Sequence, residues 1–243
     1  MIEIKNFSLF IDGKKILNNL NLTLKTKQKI ALLGQSGSGK SLLARAILGL
    51  LPQNATTSGE IQSNQKFGVI LQNPASCFDG IFTLKEHFLE TLKAHHLESL
   101  SSDKWGLEEV GLKKEILDSY PFELSGGMLQ RAMIALSICI KPDFIIADEM
   151  TSDLDCLGVW QISNLLLNLQ NKMGFGMLFI THDLFLAHKM AEEIIILHQG
   201  EIIEQGNRDE IFKTPKHTKN KELLFENERL LNTPWGDFRG NFA

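Results

Sequence analysis

One glycine-rich segment constrains this chain more than any other feature of its sequence. Residues 34–41 read GQSGSGKS and match the pattern G-x-x-x-x-G-K-[ST] at every fixed position. An apolar run at 30–33 precedes the segment and an apolar stretch at 42–48 follows it, so the order is strand, loop and helix. Glycines let consecutive backbone N–H groups turn toward one anion, and the following helix presents its positive end there. The segment therefore predicts a phosphate-binding loop rather than a plain glycine turn.

Side chains of this segment, the phosphate loop, have distinct predicted roles. Lys40 is expected to reach the β- and γ-phosphates of a nucleotide, and Ser41 is expected to hold Mg²⁺. The other residues predicted to surround the nucleotide are Gly34, Gln35, Ser36, Gly37, Ser38, Gly39 and Leu42.

Length, charge and cysteine content indicate a single soluble enzyme domain or subunit. The 243 residues suffice for one substantial core with a small subdomain. The chain has 25 Lys and Arg residues, 29 Asp and Glu residues and no long basic block, so nucleic acid is not an expected partner. No apolar run approaches the ~18 residues that span a bilayer, and the N-terminus lacks a signal-peptide core, so we expect a cytosolic chain. Three scattered cysteines predict reduced thiols.

Apolar runs predict an α/β fold with a β subdomain. In the first thirty residues, short apolar stretches flank the Asp12-Gly13 turn, which predicts a small antiparallel sheet. Later strand-like runs alternate with helical patterns, and this alternation predicts a parallel sheet covered by helices. These runs lie at 67–71, 144–147, 177–180 and 194–197.

A helical insert is predicted between these groups of strands. Apolar residues at three- and four-residue steps predict a helix over 84–100, and further helical patterns cover 105–110 and 113–120. We therefore expect one domain over residues 1–243. Its expected parts are an α/β core with the β subdomain at 1–72 and 141–224, a helical subdomain at 73–140 and a tail at 225–243.

Two carboxylates follow the apolar strand predicted at 144–147. In an ATPase with a phosphate loop, Asp148 would orient the Mg²⁺ shell, and Glu149 would position and polarise the attacking water. Paired acids are also common at solvated strand ends, and the pair alone favours that plainer interpretation. The phosphate loop upstream makes the catalytic interpretation the better one.

A second glycine-containing segment, LSGGMLQ at 124–130, precedes an apolar helix predicted over 131–140. Ser125, Gly126 and Gly127 would expose backbone N–H groups at the helix N-terminus and form a second anion site. Ordinary capping by Ser125 explains the same residues equally well when the segment is taken alone.

Taken together and in order, these segments resemble the ATP-binding subunits of ABC transporters, from about residue 2 to 224. The resemblance rests on the phosphate loop, Gln72, LSGG at 124–127, Asp148-Glu149, TSDLD at 151–155 and ITHD at 180–183. It implies a P-loop NTPase core of the ABC ATPase type, with an N-terminal antiparallel β subdomain and an inserted α-helical subdomain. ATP and Mg²⁺ are the implied cofactors.

The resemblance also implies roles that the residues alone do not fix. Residues 125–127 would contact the γ-phosphate of ATP bound by a second subunit, so complete sites would form only across a head-to-tail dimer. Gln72 would touch Mg²⁺ and the water while linking the core to the helical insert. His182 would contact the γ-phosphate, although alone it is equally a hydrogen-bonded histidine at a strand end. Asp155 would signal across the dimer interface.

The chain departs from the family pattern at three places. Met128 replaces the usual glutamine, and Met150 replaces the typical proline. Neither change removes a group that the chemistry needs. Ile11, or Phe10 in a shifted alignment, takes the place of the aromatic residue that stacks on adenine. If Ile11 is the true match, a weaker apolar contact replaces base stacking.

Other segments resemble the importer branch that handles oligopeptides and nickel. LQNP at 71–74 and YPFELSGGMLQR at 120–131 carry this likeness, and GGMLQR with IADE is most similar to nickel-import ATPases. No cysteine follows Cys156, which excludes the iron-sulfur motif of many peptide-import relatives. The expected function is ATP hydrolysis that drives nickel uptake, with oligopeptide uptake as the alternative and a non-transport ABC-type ATPase less favoured. Substrate identity rests on analogy.

The implied partners are a second ABC ATPase subunit, two membrane permease subunits and, indirectly, a solute-binding protein. The ATPase partner is a second copy or a related chain. The chain would then be peripheral at the cytoplasmic face of the inner membrane. Apolar residues Phe78, Ile81 and Phe82 suggest that residues 73–88 dock the permease subunits, although core packing within the insert explains them equally well.

Overall fold

A computed structural model describes residues 1–152 and 154–217 of the chain. The described chain divides into two compact units. Of the described residues, the first unit comprises Met1–Ile2, Leu24–Gln28 and 63–180, and the second comprises Glu3–Thr23, Lys29–Gln62 and 181–217. The predicted tail at 225–243, and residues 218–224 of the predicted core, lie outside the described residues. The predicted subdomain limits therefore stay a prediction.

Strands and helices alternate along most of the described chain. They follow in the order β1 (Ile2–Ile11), β2 (Lys14–Leu24), β3 (Lys29–Leu33), α1 (Lys40–Ile47), β4 (Ala55–Ser63), β5 (Phe67–Ile70), α2 (Leu84–Ala94), α3 (Gly126–Cys139), β6 (Phe144–Asp148), α4 (Cys156–Met173), β7 (Gly176–Ile180), α5 (Leu184–Met190), β8 (Glu193–His198), β9 (Glu201–Asn207) and α6 (Arg208–Lys213). No helix of the described chain is both long and apolar enough to cross a membrane.

The second unit holds almost all of a three-stranded sheet in the order β2-β1-β4. A two-residue turn joins β1 to β2, and both of its residues, Asp12 and Gly13, have positive φ angles of 49° and 75°. Such a turn is typical of a hairpin between antiparallel strands. The predicted hairpin around Asp12-Gly13 is therefore confirmed.

The second unit also places β8 between β3 and β9. The β3 and β8 strands are parallel, with Leu33 opposite Ile196, whereas β8 and β9 are antiparallel. The sequence predicted the apolar β8 strand but missed β9, because none of the residues Glu201–Asn207 is buried. Without a buried face, β9 lacks the apolar pattern that identifies a strand.

In the first unit, β5, β6 and β7 form parallel neighbours in that order. Ile70 lies opposite Ala147, and Asp148 lies opposite Ile180. The first four residues of β6 are buried, as expected for a parallel strand covered on both faces. Parallel pairing brings the carboxyl ends of the three strands to one edge, where ligands bind in open α/β sheets.

The helical pattern of the insert was only partly predicted. Helix α2 begins after Thr83, whose hydroxyl accepts a hydrogen bond from the Glu86 N–H while the Glu86 carboxylate accepts one from the Thr83 N–H. This reciprocal cap fixes the helix start. The helix ends at Ala94 rather than at residue 100, since His96 has a positive φ of 56°.

The predicted helices over 105–110 and 113–120 are wrong. Residues 105–111 form bends and turns, and a short 3₁₀ turn at Lys114–Asp118 lies within the second stretch. Gly106 and Gly111 have φ angles of 85° and 73°, which an α-helix does not accommodate. Two left-handed glycines therefore divide a stretch whose apolar spacing alone resembled helix.

Candidate functional site

The phosphate loop connects β3 to α1 in the second unit. Gly34 and Gly39 have φ angles of 155° and 104°. A Cβ atom at Gly34 would lie 2.2 Å from the Leu197 carbonyl oxygen, and one at Gly39 would lie 2.6 Å from Leu17 Cδ2. Only glycine fits both places, because the neighbour at Gly34 is backbone and both φ angles are positive. The fold itself therefore requires the glycines that define the pattern.

Lys40 lies within this loop and is only 6% exposed. Its ammonium donates hydrogen bonds to the backbone carbonyls of Gly34 at 2.8 Å and Gln35 at 3.0 Å. These contacts hold the cation beside the backbone that would enclose an anion. The loop backbone thereby helps to position the lysine.

Two further observations show that the loop suits a phosphate group. Ser38 Oγ is buried and has no hydrogen-bond partner among the described residues. Residues 35–37 are exposed, and the backbone N–H groups of the first turn of α1 lack intrahelical carbonyl partners, as at any helix start. An unsatisfied hydroxyl, helix N–H groups and a lysine together form a donor set for phosphate oxygens. The Ser41 hydroxyl is a suitable Mg²⁺ ligand.

His182 lies at the carboxyl end of β3 in the second unit. The preceding Thr181 N–H donates to the Leu32 carbonyl at 3.4 Å, and the Thr181 hydroxyl accepts from the Asp183 N–H at 3.0 Å. Asp183 in turn caps α5. These bonds place the exposed His182 near the strand end at which the phosphate loop begins.

The two candidates for the adenine contact are the last residues of β1. Ile11 and Phe10 are both half-buried. The Lys15 ammonium lies 5.5 Å from the centre of the Phe10 ring, a cation–π distance. One face of Phe10 thus already carries a cation, and the choice between the two residues stays a prediction.

In the first unit, Asp148 and Glu149 mark the end of β6. Asp148 is the last strand residue, and Glu149 has a positive φ of 46°. Its N–H donates to the Ile180 carbonyl at 3.0 Å, and its carbonyl accepts from the Ser152 N–H and hydroxyl at 3.2 and 2.9 Å. A non-glycine residue with positive φ is strained, and such residues cluster at functional sites.

Gln72 belongs to the same edge of the sheet. Because Ile70 pairs with Ala147, Gln72 and Glu149 each lie two residues beyond a paired position. Gln72 is exposed and follows the last residue of β5 by two positions. The first unit therefore brings Gln72, Asp148 and Glu149 to one edge of the sheet. These are the three residues predicted to contact Mg²⁺ and the attacking water.

Ser125, Gly126 and Gly127 form the start of α3 instead of lying at a strand end. The Ser125 hydroxyl accepts the Met128 N–H at 3.3 Å, so capping by Ser125 occurs. A Cβ atom at Gly126 or Gly127 would meet no atom of residues 1–152 or 154–217 within 4 Å. The described chain gives no steric reason for these exposed glycines. Close approach of a group from outside the chain would explain them.

Asp155 occupies the corresponding position at the start of α4. Its carboxylate accepts the Gly158 N–H at 2.7 Å, and the residue is exposed. A helix cap accounts for this geometry. The predicted signalling role of Asp155 across a dimer interface stays a prediction.

One polar residue near this site was missed by sequence reasoning. Gln130 on α3 is 2% exposed, and its amide donates to the Met150 carbonyl, directly after Glu149. The available signal was an amide side chain four residues before a long apolar run. Periodicity assigns such a residue to a helix without indicating its partner.

Comparison with known proteins adds independent findings. Residues 17–152 match the family model described as ABC transporter. The metal-staphylopine import system ATP-binding protein of Staphylococcus aureus (strain NCTC 8325 / PS 47) is 33% identical, over 88% of each chain. The nickel import ATP-binding protein of Brucella abortus biovar 1 (strain 9-941) is 37% identical, over 88% of this chain and 89% of its own. The family match includes the phosphate loop, Gln72, residues 125–127 and the two carboxylates.

Solved structures agree with the sequence matches. The structure of an ATP-binding subunit of an ABC transporter has a TM-score of 0.75 and 27% identity, and the alignment covers 93% of this chain and 98% of the other. A dimeric ATP-binding cassette in a post-hydrolysis state, bound to ADP and Pi, has a TM-score of 0.70 and 26% identity, with 86% and 99% covered.

Proposed function

This chain belongs to the ABC transporter family, and we propose that it powers an importer whose cargo is nickel or a nickel chelate. The chain is an ATPase that works with ATP and Mg²⁺. The predicted fold class, a P-loop NTPase core of the ABC ATPase type with β and helical additions, is confirmed. The coarser role, an ATP-binding subunit of an importer, follows from the family and the import relatives.

One observation carries the nickel proposal. Relatives at 33% and 37% identity, each matched over 88% of this chain, are named for import of metal–staphylopine and of nickel. The GGMLQR and IADE segments point the same way. The cargo itself would bind to the membrane and solute-binding subunits, so this chain would supply energy rather than selectivity. Oligopeptide import stays the alternative.

Uptake by the complete complex tests the cargo. The complex would be reconstituted in vesicles, and ATP-dependent uptake of radioactive nickel would be compared with uptake of labelled oligopeptides. Nickel uptake that needs both ATP and the solute-binding protein supports the proposal. Peptide uptake without nickel uptake transfers the same ATPase role to a peptide importer. Vigorous ATP hydrolysis with neither uptake contradicts both.

We propose a division of tasks around ATP among the candidate residues. Lys40 and the N–H groups of the phosphate loop would bind the phosphates, while Ser41, Gln72 and Asp148 would hold Mg²⁺. Bound Mg²⁺ supplies charge neutralisation at the phosphate oxygens. Glu149 would orient and polarise the attacking water. His182 would donate to the γ-phosphate, where negative charge must be stabilised during hydrolysis.

The remaining donors would come from a second ATPase subunit. Residues 125–127 are exposed, and no atom of the described residues fills the space around both glycines. This accessibility supports the proposal that they close the nucleotide site of a partner across a head-to-tail dimer. A solved relative of the same fold is dimeric with ADP and Pi bound. The dependence of ATPase activity on the concentration of this chain would show whether the partner is a second copy or a related chain.

The membrane-docking expectation needs one correction. Phe78 is only 7% exposed, and its ring meets the His87 ring edge-on at 5.2 Å. Phe82 is half-buried and also contacts His87. The expectation that Phe78 lies on an exposed patch was therefore wrong, because it packs within the insert. Ile81, in contrast, is 74% exposed.

Three exposed apolar residues, Ile81, Tyr120 and Phe122, define a candidate apolar patch near the start of α2. The Leu84 N–H donates to the Ser119 carbonyl at 3.0 Å, which brings the chain before α2 beside the segment after Ser119. That segment carries Tyr120 and Phe122, whose rings stack at 5.4 Å and remain exposed. We assign this patch to the permease subunits, because exposed apolar clusters mark interaction sites. The chain would then lie at the cytoplasmic face of the membrane.

Replacing Ile81 with Asp should abolish co-purification with the permease subunits, because the aspartate places a charge on the apolar patch. The ATP affinity and melting temperature of the isolated chain should not change, since the residue is exposed. Leu50→Asp is the matched control, as Leu50 is 64% exposed after α1. Retained assembly in Ile81→Asp would exclude this docking surface. Phe78→Asp should instead unfold the insert.

A further inference from the structure

Gln130 is a buried amide in the first half of α3. It is 2% exposed, and its neighbours Leu129 and Ala132 are buried as well. Burying an amide without a partner is unfavourable, so the position of its hydrogen bond is significant. The side-chain Nε2 group donates to the backbone carbonyl of Met150. Helix α3 therefore contacts the turn that directly follows Glu149.

This turn must hold Glu149 in an unfavourable backbone conformation. Glu149 has a φ of 46°, and its own carbonyl is held by the N–H and hydroxyl of Ser152. Those bonds leave the next peptide, between Met150 and Thr151, to be fixed by other contacts. Residue 150 is methionine instead of the typical proline, so no pyrrolidine ring restricts its φ angle. The Gln130 amide donates a hydrogen bond to the carbonyl of that peptide, and Met150 itself is buried at 2% exposure.

We propose that Gln130 is a positioning residue for Glu149: by holding the Met150 carbonyl, it fixes the turn that sets the direction of the catalytic carboxylate. The inference rests on the proposed role of Glu149 in orienting water. Gln130 acts through Met150 and does not touch the nucleotide. Misplacing a catalytic group by about 1 Å can lower a rate roughly a hundredfold, so one buried hydrogen bond is enough to matter.

The same contact joins two parts of the proposed mechanism. Gln130 lies five residues after Ser125, about 7.5 Å along the axis of α3. The segment proposed to contact the partner's nucleotide and the turn bearing Glu149 are therefore connected by one helix and one hydrogen bond. Movement of α3 as residues 125–127 engage the partner would pass to this turn.

Steady-state ATP hydrolysis by the complete importer complex tests the inference. Gln130→Leu keeps a similar side-chain size but removes the donor, and kcat should fall about tenfold or more while KM for ATP changes less than about twofold. Gln130→Glu keeps the length but turns carboxylate oxygens toward the carbonyl, so its kcat should fall at least as far. Gln130→Met, unbranched like glutamine, replaces the leucine variant if that variant does not fold.

Ser137→Ala is the matched control for a general loss of packing. Ser137 lies on the same helix, is 8% exposed and donates to the carbonyls of Val69 and Met133, away from the Glu149 turn. This variant should be less stable but keep its kcat. Hydrogen exchange in peptides covering 149–152 should accelerate in Gln130→Leu and not in Ser137→Ala.

An unchanged kcat in a folded Gln130→Leu protein would overturn the positioning role. So would a decrease in kcat that Ser137→Ala reproduces at equal stability. Failure of the underlying role of Glu149 gives a different result, since Glu149→Gln would then hydrolyse ATP at the wild-type rate. The two failures are therefore distinguishable.

Discussion

Glu149→Gln should bind ATP normally but hydrolyse it at least about a hundredfold more slowly in a single turnover. The change keeps the size of the side chain and removes the carboxylate that would polarise water, and such groups contribute roughly 10²–10⁴-fold. Because binding energy is retained while hydrolysis stalls, the variant should accumulate as an ATP-bound dimer with its partner. Single-turnover hydrolysis and size-exclusion chromatography with ATP would measure both effects.

Glu60→Gln provides the control for removal of a carboxylate. Glu60 is exposed on β4, in the three-stranded sheet, and the same substitution there should leave hydrolysis unchanged. A Glu149→Gln enzyme with a normal single-turnover rate would show that another group activates the water. In that case the strained backbone at Glu149 would need a structural explanation.

Much of the α/β core could be predicted because its signals are local. The strand at 144–147 is continuously apolar and is buried on both faces as β6, and the phosphate loop carries its glycine requirement in the sequence. The Asp12-Gly13 turn could also be predicted from the sequence, since aspartate and glycine are favoured at turn positions with positive φ. Local sequence therefore predicted the strand ends at which the candidate catalytic residues lie.

Other features depend on contacts that spacing does not encode. The apolar steps across 105–120 resembled helix until the left-handed glycines at 106 and 111 divided them. Phe78 and Ile81 are both apolar and three residues apart, yet one is buried and the other exposed. The bond from Gln130 to Met150 joins residues twenty positions apart. Tertiary packing decides each of these cases.

Ser125→Arg should suppress partner-stimulated ATP hydrolysis by about a hundredfold while leaving ATP binding to this chain's own phosphate loop intact. The arginine places bulk where the partner's γ-phosphate would lie, and loss of one donor to developing charge lowers rates roughly 10²–10³-fold. Lys40→Ala gives the complementary pattern, because it removes the cation of the chain's own site and should abolish ATP binding there.

Ser125→Ala separates these effects from the loss of the α3 cap. Both substitutions remove the hydroxyl that accepts the Met128 N–H, but alanine adds no bulk, so it should lower the stimulated rate less than arginine does.

Binding of a fluorescent ATP analogue and a titration with the partner ATPase would measure the two sites separately. Homodimer activity should rise with the square of concentration while most sites are unpaired, whereas heterodimer activity should follow the added partner. The ATP hydrolysis rate per chain could instead be independent of concentration and of the partner, and unchanged in Ser125→Arg. That result would mean that one chain forms a complete site, and the exposed glycines at 126 and 127 would need another explanation.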